Sequence, residues 1–252
     1  MHQGIVRTAL MGLLAFTQTG VAGEAESSAH DWGANVAIVT DYLFRGASRS
    51  NEDLAVQGGF DYAHEDSGFF AGAWASSTEF NTGASDGASA EVDLFGGFTG
   101  SFANDVGWKI GSRYYLFPDQ NIDRLAGDFE MLEIEGGLNY TFDSLYSPNA
   151  QIGIAYSPDY FGEDGDGVYV SGGIDFALPR NFGLYARLGY LDVEGDETFP
   201  GGYDYTHYSI GLTRNVAIFT LDLSWNDADD ECEVIAGDNY CEAVLFRIAS
   251  HW

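Results

Sequence analysis

No run in this chain approaches the ~20 consecutive apolar residues that a membrane-crossing helix requires, so a transmembrane helical protein is excluded. Positive charge is scarce as well. Ten Lys and Arg stand against 39 Asp and Glu, a formal net charge of −29, and such a chain repels phosphate backbones and disfavours nucleic acid as a partner. Motifs of common chemistries are missing: there is no Gly-x-Ser-x-Gly elbow, phosphate loop or zinc-protease helix. The four histidines after residue 23 (His30, His64, His207 and His251) are scattered, and His207 with Ser209 is at most a weak pair. No catalytic residue, cofactor or metal site is expected, and the chain is read as a non-enzyme. Cysteine is limited to Cys232 and Cys241, too few for a structural zinc site. In an exported chain, two cysteines close together predict a disulfide across a small surface loop.

What is present points elsewhere. Proline is rare, at 5 of 252 residues, whereas glycine reaches 33 and aromatics 15%. Glycine relieves crowding inside a closed barrel, and aromatics line its membrane rims. High net charge can signal disorder, but the 45% hydrophobic content and a strong periodicity argue against it.

The first 23 residues read as a signal peptide. Arg7 supplies the positive start, residues 9–16 a short apolar core, and Gly20-Val21-Ala22-Gly23 the small residues a peptidase needs. Cleavage after Ala22 and after Gly23 fit equally well. Residues 24–252 then form one domain.

From there the dominant signal has period two. Glu91-Val-Asp-Leu-Phe-Gly-Gly-Phe98 sets Val92, Leu94 and Phe98 against Glu91 and Asp93; Trp108-Lys-Ile-Gly-Ser-Arg-Tyr-Tyr-Leu116 and Leu132-Glu-Ile-Glu-Gly-Gly-Leu-Asn-Tyr140 repeat the pattern. Alternation at this spacing means strands with two chemically distinct faces. About twelve such segments are predicted: 33–45, 53–62, 68–77, 91–99, 106–117, 129–142, 150–156, 167–178, 182–192, 204–213, 217–226 and 243–252. Connections after odd strands are the longer ones (46–52, 78–90, 118–127, 157–166, 193–202 and 227–242). Those after even strands are short (63–67, 100–105, 143–149, 179–181 and 214–216). Transmembrane barrels show this parity, with long extracellular loops and short periplasmic turns. The predicted fold is therefore all-β, a transmembrane antiparallel up-and-down β-barrel in a bacterial outer membrane.

The faces agree. With the apolar side of each strand turned to lipid, Asp41, Arg45, Asp61, Glu91, Asp93, Lys109, Arg113, Glu133, Glu135, Asp175, Arg187, Asp222 and Arg247 point into the lumen. The opposite face has no charge in mid-strand, where Arg or Lys would cost about 2–4 kcal/mol. The last strand ends on Trp252 and is expected to pair with the first, leaving no open edge in lipid. A terminal aromatic looks like the C-terminal signal read by the outer-membrane barrel-assembly machinery.

Thr40-Asp-Tyr-Leu-Phe-Arg-Gly-Ala-Ser48, with Ala55-Val-Gln-Gly-Gly-Phe-Asp-Tyr-Ala-His64 and Gly68-Phe-Phe-Ala-Gly-Ala-Trp-Ala-Ser76, resembles the TorF porin family of proteobacteria. The resemblance runs from about residue 32 to 252, and the acidic insertion 227–242 is not part of it. It implies an outer-membrane barrel with pore function and no known substrate.

The lumenal charges admit two readings. Glu91 and Asp93, Lys109 and Arg113, and Glu133 and Glu135 on successive strands form either an electrostatic constriction or an ion-pair network bracing the wall. The acidic loops 157–166 and 227–241 carry oxygen ligands but lack the spacing of a calcium loop. The expected function is passive passage of small polar or cationic solutes. The alternative is a non-conducting structural or adhesin-type barrel acting through its acidic loops.

Overall fold

The computed structural model describes residues 29–81, 87–120, 129–161, 165–195, 202–232 and 241–252. The predicted signal peptide lies outside them. Twelve strands form one closed antiparallel barrel: β1 (His30–Val39), β4 (Ala55–His64), β5 (Phe69–Asn81), β6 (Gly87–Ser101), β7 (Gly107–Leu116), β8 (Met131–Thr141), β9 (Asn149–Ser157), β10 (Gly167–Leu178), β11 (Phe182–Val193), β12 (Tyr203–Val216), β13 (Phe219–Ala228) and β14 (Ala243–His251). Two further short strands, β2 (Leu43–Phe44) and β3 (Ala47–Ser48), pair only with each other. The barrel closes where β1 meets β14, from Asn35 opposite His251 to Val39 opposite Arg247. Backbone bonds between Ala34 and Trp252, at 2.9 and 3.0 Å, extend that seam.

The barrel is apolar outside and polar inside. Ile38, Val56, Phe60, Ile110, Ile134, Ile152, Leu188, Ile210, Leu223 and Val244 are all more than half exposed or close to it on the outer face. An apolar belt this continuous is not left to water in a monomeric soluble protein. At the long-loop end of the belt, outward tyrosines donate their hydroxyls to carboxylates: Tyr114 to Glu130, Tyr156 to Asp166 (2.8 Å), Tyr190 to Asp204 (3.1 Å) and Tyr208 to Asp227 (2.6 Å). Each ring thus has a greasy body and an anchored polar tip, as suits an interface.

The structure corrects the strand map in two places. The expected first strand, 33–45, stops at Val39, and residues 40–54 fold inward as a hairpin. Arg45 (φ 54°) and Gly46 (φ 91°) form its two-residue turn, which needs positive φ at both positions. Asp41 accepts hydrogen bonds from Ser48 Oγ (2.6 Å) and Ser50 Oγ (2.8 Å), closing the neck. The alternation of Asp41, Leu43 and Arg45 continues the period of β1 without continuing the strand. The other correction concerns the expected loop 78–90. Strands β5 and β6 run to 13 and 15 residues and take up 78–81 and 87–90 of it, while 82–86 lie outside the described residues.

The charged lumen as candidate functional site

The predicted site residues fall into several groups. Deepest in the long-loop half lie Glu91 and Glu133, 0% and 1% exposed. Arg45 grips Glu133 with one nitrogen at 2.6 and 2.8 Å from its two oxygens, and donates to Tyr160 Oη at 3.3 Å. Tyr115 Oη also donates to Glu133, at 2.8 Å. Glu91 accepts from Tyr42 Oη at 2.9 Å and from Arg49 at 3.4 Å. Burial opposes the charge of Arg45, but the Glu133 carboxylate together with Tyr160, Tyr115 and Tyr169 outweighs it and raises the guanidinium pKa. On the loop after β9, burial raises the Tyr160 phenol against the opposing pull of Arg45, so it stays neutral and accepts from that arginine.

Nearer the middle, Arg113 on β7 ties its two neighbours together. Its Nη1 lies 3.0 Å from Asp93 on β6 and its Nε 3.1 Å from Glu135 on β8, while its guanidinium covers the Phe95 ring at 4.8 Å. Lys109 on the same strand sets its ammonium over Phe70, 4.7 Å from the ring centre. Across the barrel, Arg187 pairs with Asp175 at 2.5 Å, and Gln151 donates to the same carboxylate at 3.1 Å. Asp222 accepts from Tyr185 Oη at 3.1 Å and stands in register with Arg247. Asp61 is exposed toward the short-turn end, its carboxylate filling the space over Gly33 on β1.

Asp41 and Arg45 are carried by the hairpin and not by the wall. The hairpin also brings residues that periodicity did not single out. Arg49 lies between the rings of Phe44 (4.2 Å) and Phe161 (4.5 Å). Tyr169 faces Arg45 at 4.2 Å and shares a 2.9 Å hydrogen bond with His207 Nε2. The hydrogen bond of His207 goes to this tyrosine, not to the Ser209 suggested by spacing. In the ring of strands β9 stands across from β1, and the hairpin leaving β1 reaches β8 (Glu133), β10 (Tyr169) and β12 (His207). It therefore spans the lumen.

The same end of the barrel holds a hydrophobic cluster that includes Tyr115, Phe117, Phe129, Met131, Tyr160, Leu191 and Tyr205, with Phe44, Ala47 and Phe161 packed against it. Cys232 and Cys241 belong to it too and form the expected disulfide, with Cα atoms 6.2 Å apart. The aromatic pair Tyr160-Phe161 inside an acidic loop was the one local signal that this end would be filled.

Solved structures of similar shape include the NanC porin (TM-score 0.56, 10% identity, covering 86% of this chain and 97% of that one). The KdgM porin follows at TM-score 0.52 and 8% identity, over 87% and 98%. An outer membrane channel from Pseudomonas putida matches at TM-score 0.55 and 10% identity, over 93% and 100%. At such identities the likeness is one of fold, and the fold is that of outer-membrane porins and channels. A search of curated proteins finds no match. The family described as "Bacterial protein of unknown function (Gcw_chp)" matches residues 23–249, and the chain belongs to this Gcw_chp family.

Proposed function

We propose that this protein is a porin-like channel of the bacterial outer membrane that passes small polar or cationic solutes. The observation that carries the reading is the inside-out barrel, with an apolar exterior around a wall of acidic and basic side chains. In this orientation the short turns and both ends of the mature chain face the periplasm, and the long loops with the disulfide face outward. The segment before residue 24 is the cleaved leader, and Trp252 at the seam is the feature the assembly machinery reads. The TorF resemblance supports the same reading, and no catalytic role is assigned to any residue.

Inward acids (Asp41, Asp61, Glu91, Asp93, Glu133, Glu135, Asp175 and Asp222) outnumber inward bases even when Arg49 joins Arg45, Lys109, Arg113, Arg187 and Arg247. The field therefore favours cations. Reversal potentials of the purified protein in planar bilayers under a KCl gradient test this, with a cation preference expected. Asp61→Asn/Glu135→Gln should move the potential toward anions, and less so near 1 M salt, where the screening length shrinks to about 3 Å. An anion-preferring wild type defeats the selectivity.

The filled long-loop end favours a second reading, a non-conducting structural or adhesin-type barrel. Folded protein that carries no current under any condition, with or without residues 43–48, would support it.

A further inference from the structure

Two arginines occupy the lumen without belonging to its wall. The hairpin that carries them is closed on itself: Arg49 N donates to Tyr42 O at 2.7 Å, Tyr42 N donates to Ser50 Oγ at 2.8 Å, and Asp41 binds Ser48 and Ser50. Its attachments to the far wall are of another kind. Beside a backbone bond from Glu79 N to Arg49 O at 2.8 Å, a hydrogen bond from Tyr42 Oη to Glu91 at 2.9 Å and the packing of Phe44 and Ala47 on the hydrophobic cluster, they run through charge and ring faces. Arg45 meets both oxygens of Glu133 and lies over Tyr169; Arg49 meets Glu91 and lies against Phe161, with Phe117 at 5.6 Å. The carboxylates and Tyr115, Tyr160 and Tyr169 are at least nine-tenths buried.

A carboxylate flanked by aromatic faces is how proteins hold an organic cation, the faces supplying ring quadrupole and the carboxylate a charge-assisted hydrogen bond. We propose that the pocket formed by Glu91, Glu133, Tyr115, Tyr160, Phe161 and Tyr169 is a lumenal binding site for solutes bearing a guanidinium or ammonium group. Arg45 and Arg49 are its resident occupants, a tethered plug that such solutes displace. The inference rests on the channel reading and deepens it by naming the solute chemistry and the closed state. Because the hairpin spans the lumen, its seating and the passage of solute exclude each other. Because it is tethered, it competes at an effective concentration on the order of millimolar or above, so free cations reach the site readily only once the plug is removed.

The test uses the full-length mature protein in planar bilayers with KCl, and agmatine as the probe cation. Two unplugged variants are compared with wild type: Arg45→Ala/Arg49→Ala, and a chain in which residues 43–48 are replaced by Gly-Gly and Arg49 by Ala. The latter is compatible with the neck because Tyr42 O and Arg49 N already face each other as across a tight turn. Heat-modifiable gel migration establishes that each is folded. The unplugged variants should carry several-fold more mean current than wild type. Agmatine should block that current saturably, at concentrations that leave wild type unchanged, and adding Glu91→Gln/Glu133→Gln should abolish the block. If folded unplugged variants carry only the wild-type current, the hairpin is no plug. Block that survives loss of both glutamates removes the site. If no variant conducts, calorimetry of agmatine on the unplugged protein separates the ideas: binding that depends on Glu91 and Glu133 retains the cation site and sinks the channel, and no binding sinks both.

Discussion

Gly46 brings the backbone of the hairpin close against His207 on β12. At φ 91° it occupies a conformation that side chains rarely adopt, and a Cβ there would stand 2.6 Å from Cβ of His207. Gly46→Ala should therefore destabilise the protein by about 1–3 kcal/mol through backbone strain and unseating of the turn. Urea unfolding in lipid vesicles would measure it, and an unchanged midpoint would mean that the hairpin does not seat there. Cys232 and Cys241 offer a second test at this scale. They close a loop and plug into the cluster at the long-loop end, so the double Ser variant should lose about 2–3 kcal/mol on loop-closure reasoning. Thiol titration of denatured protein from oxidised cells should find no free thiol, and two would contradict the bond.

At the scale of the element, each strand keeps its two faces apart by alternation alone. Strand β8 shows this most clearly: Leu132, Ile134 and Leu138 face outward and exposed, while Met131, Glu133 and Glu135 are buried between them. Ile134→Arg puts a charge on the lipid face at mid-strand and should lower stability by about 2–4 kcal/mol, whereas Ile134→Leu should be near neutral. Equal stability of the two variants in vesicles would refute the outward assignment. This alternation is why the twelve wall strands were legible in the sequence, most of them to within a few residues. The end of strand β1 was not, because Asp41, Leu43 and Arg45 keep the period while the chain has already left the wall. Periodicity reports facing, and a hairpin crossing the lumen faces the same charged surroundings as the strand it extends. Arg49, Tyr160 and Tyr169 were invisible for a related reason. Arg49 meets Glu91 across 42 residues, Tyr160 meets Arg45 across 115, and Tyr169 meets His207 across 38, contacts that no local pattern encodes.

For the whole molecule, a closed sheet pairs its strands edge to edge all the way round, which with an apolar exterior suits it to lipid. The mature protein should fractionate with outer membranes and run faster on gels before boiling than after. Recovery from the soluble periplasmic fraction would overturn the location. Net charge acts at this scale too. With 39 acids in the chain, the long-range field should draw in cations faster than neutral solutes of equal size, a difference that shrinks as salt is raised.

The position of the hairpin along the chain imposes an order in time. It directly follows the first wall strand, yet Arg45 meets Glu133 across 88 residues and Tyr160 across 115. Those two contacts need β8 and the loop after β9, so Arg45 finds both partners only after 115 further residues have been made. Seating the insert is thus a late event in the life of the chain, whichever end enters the membrane first.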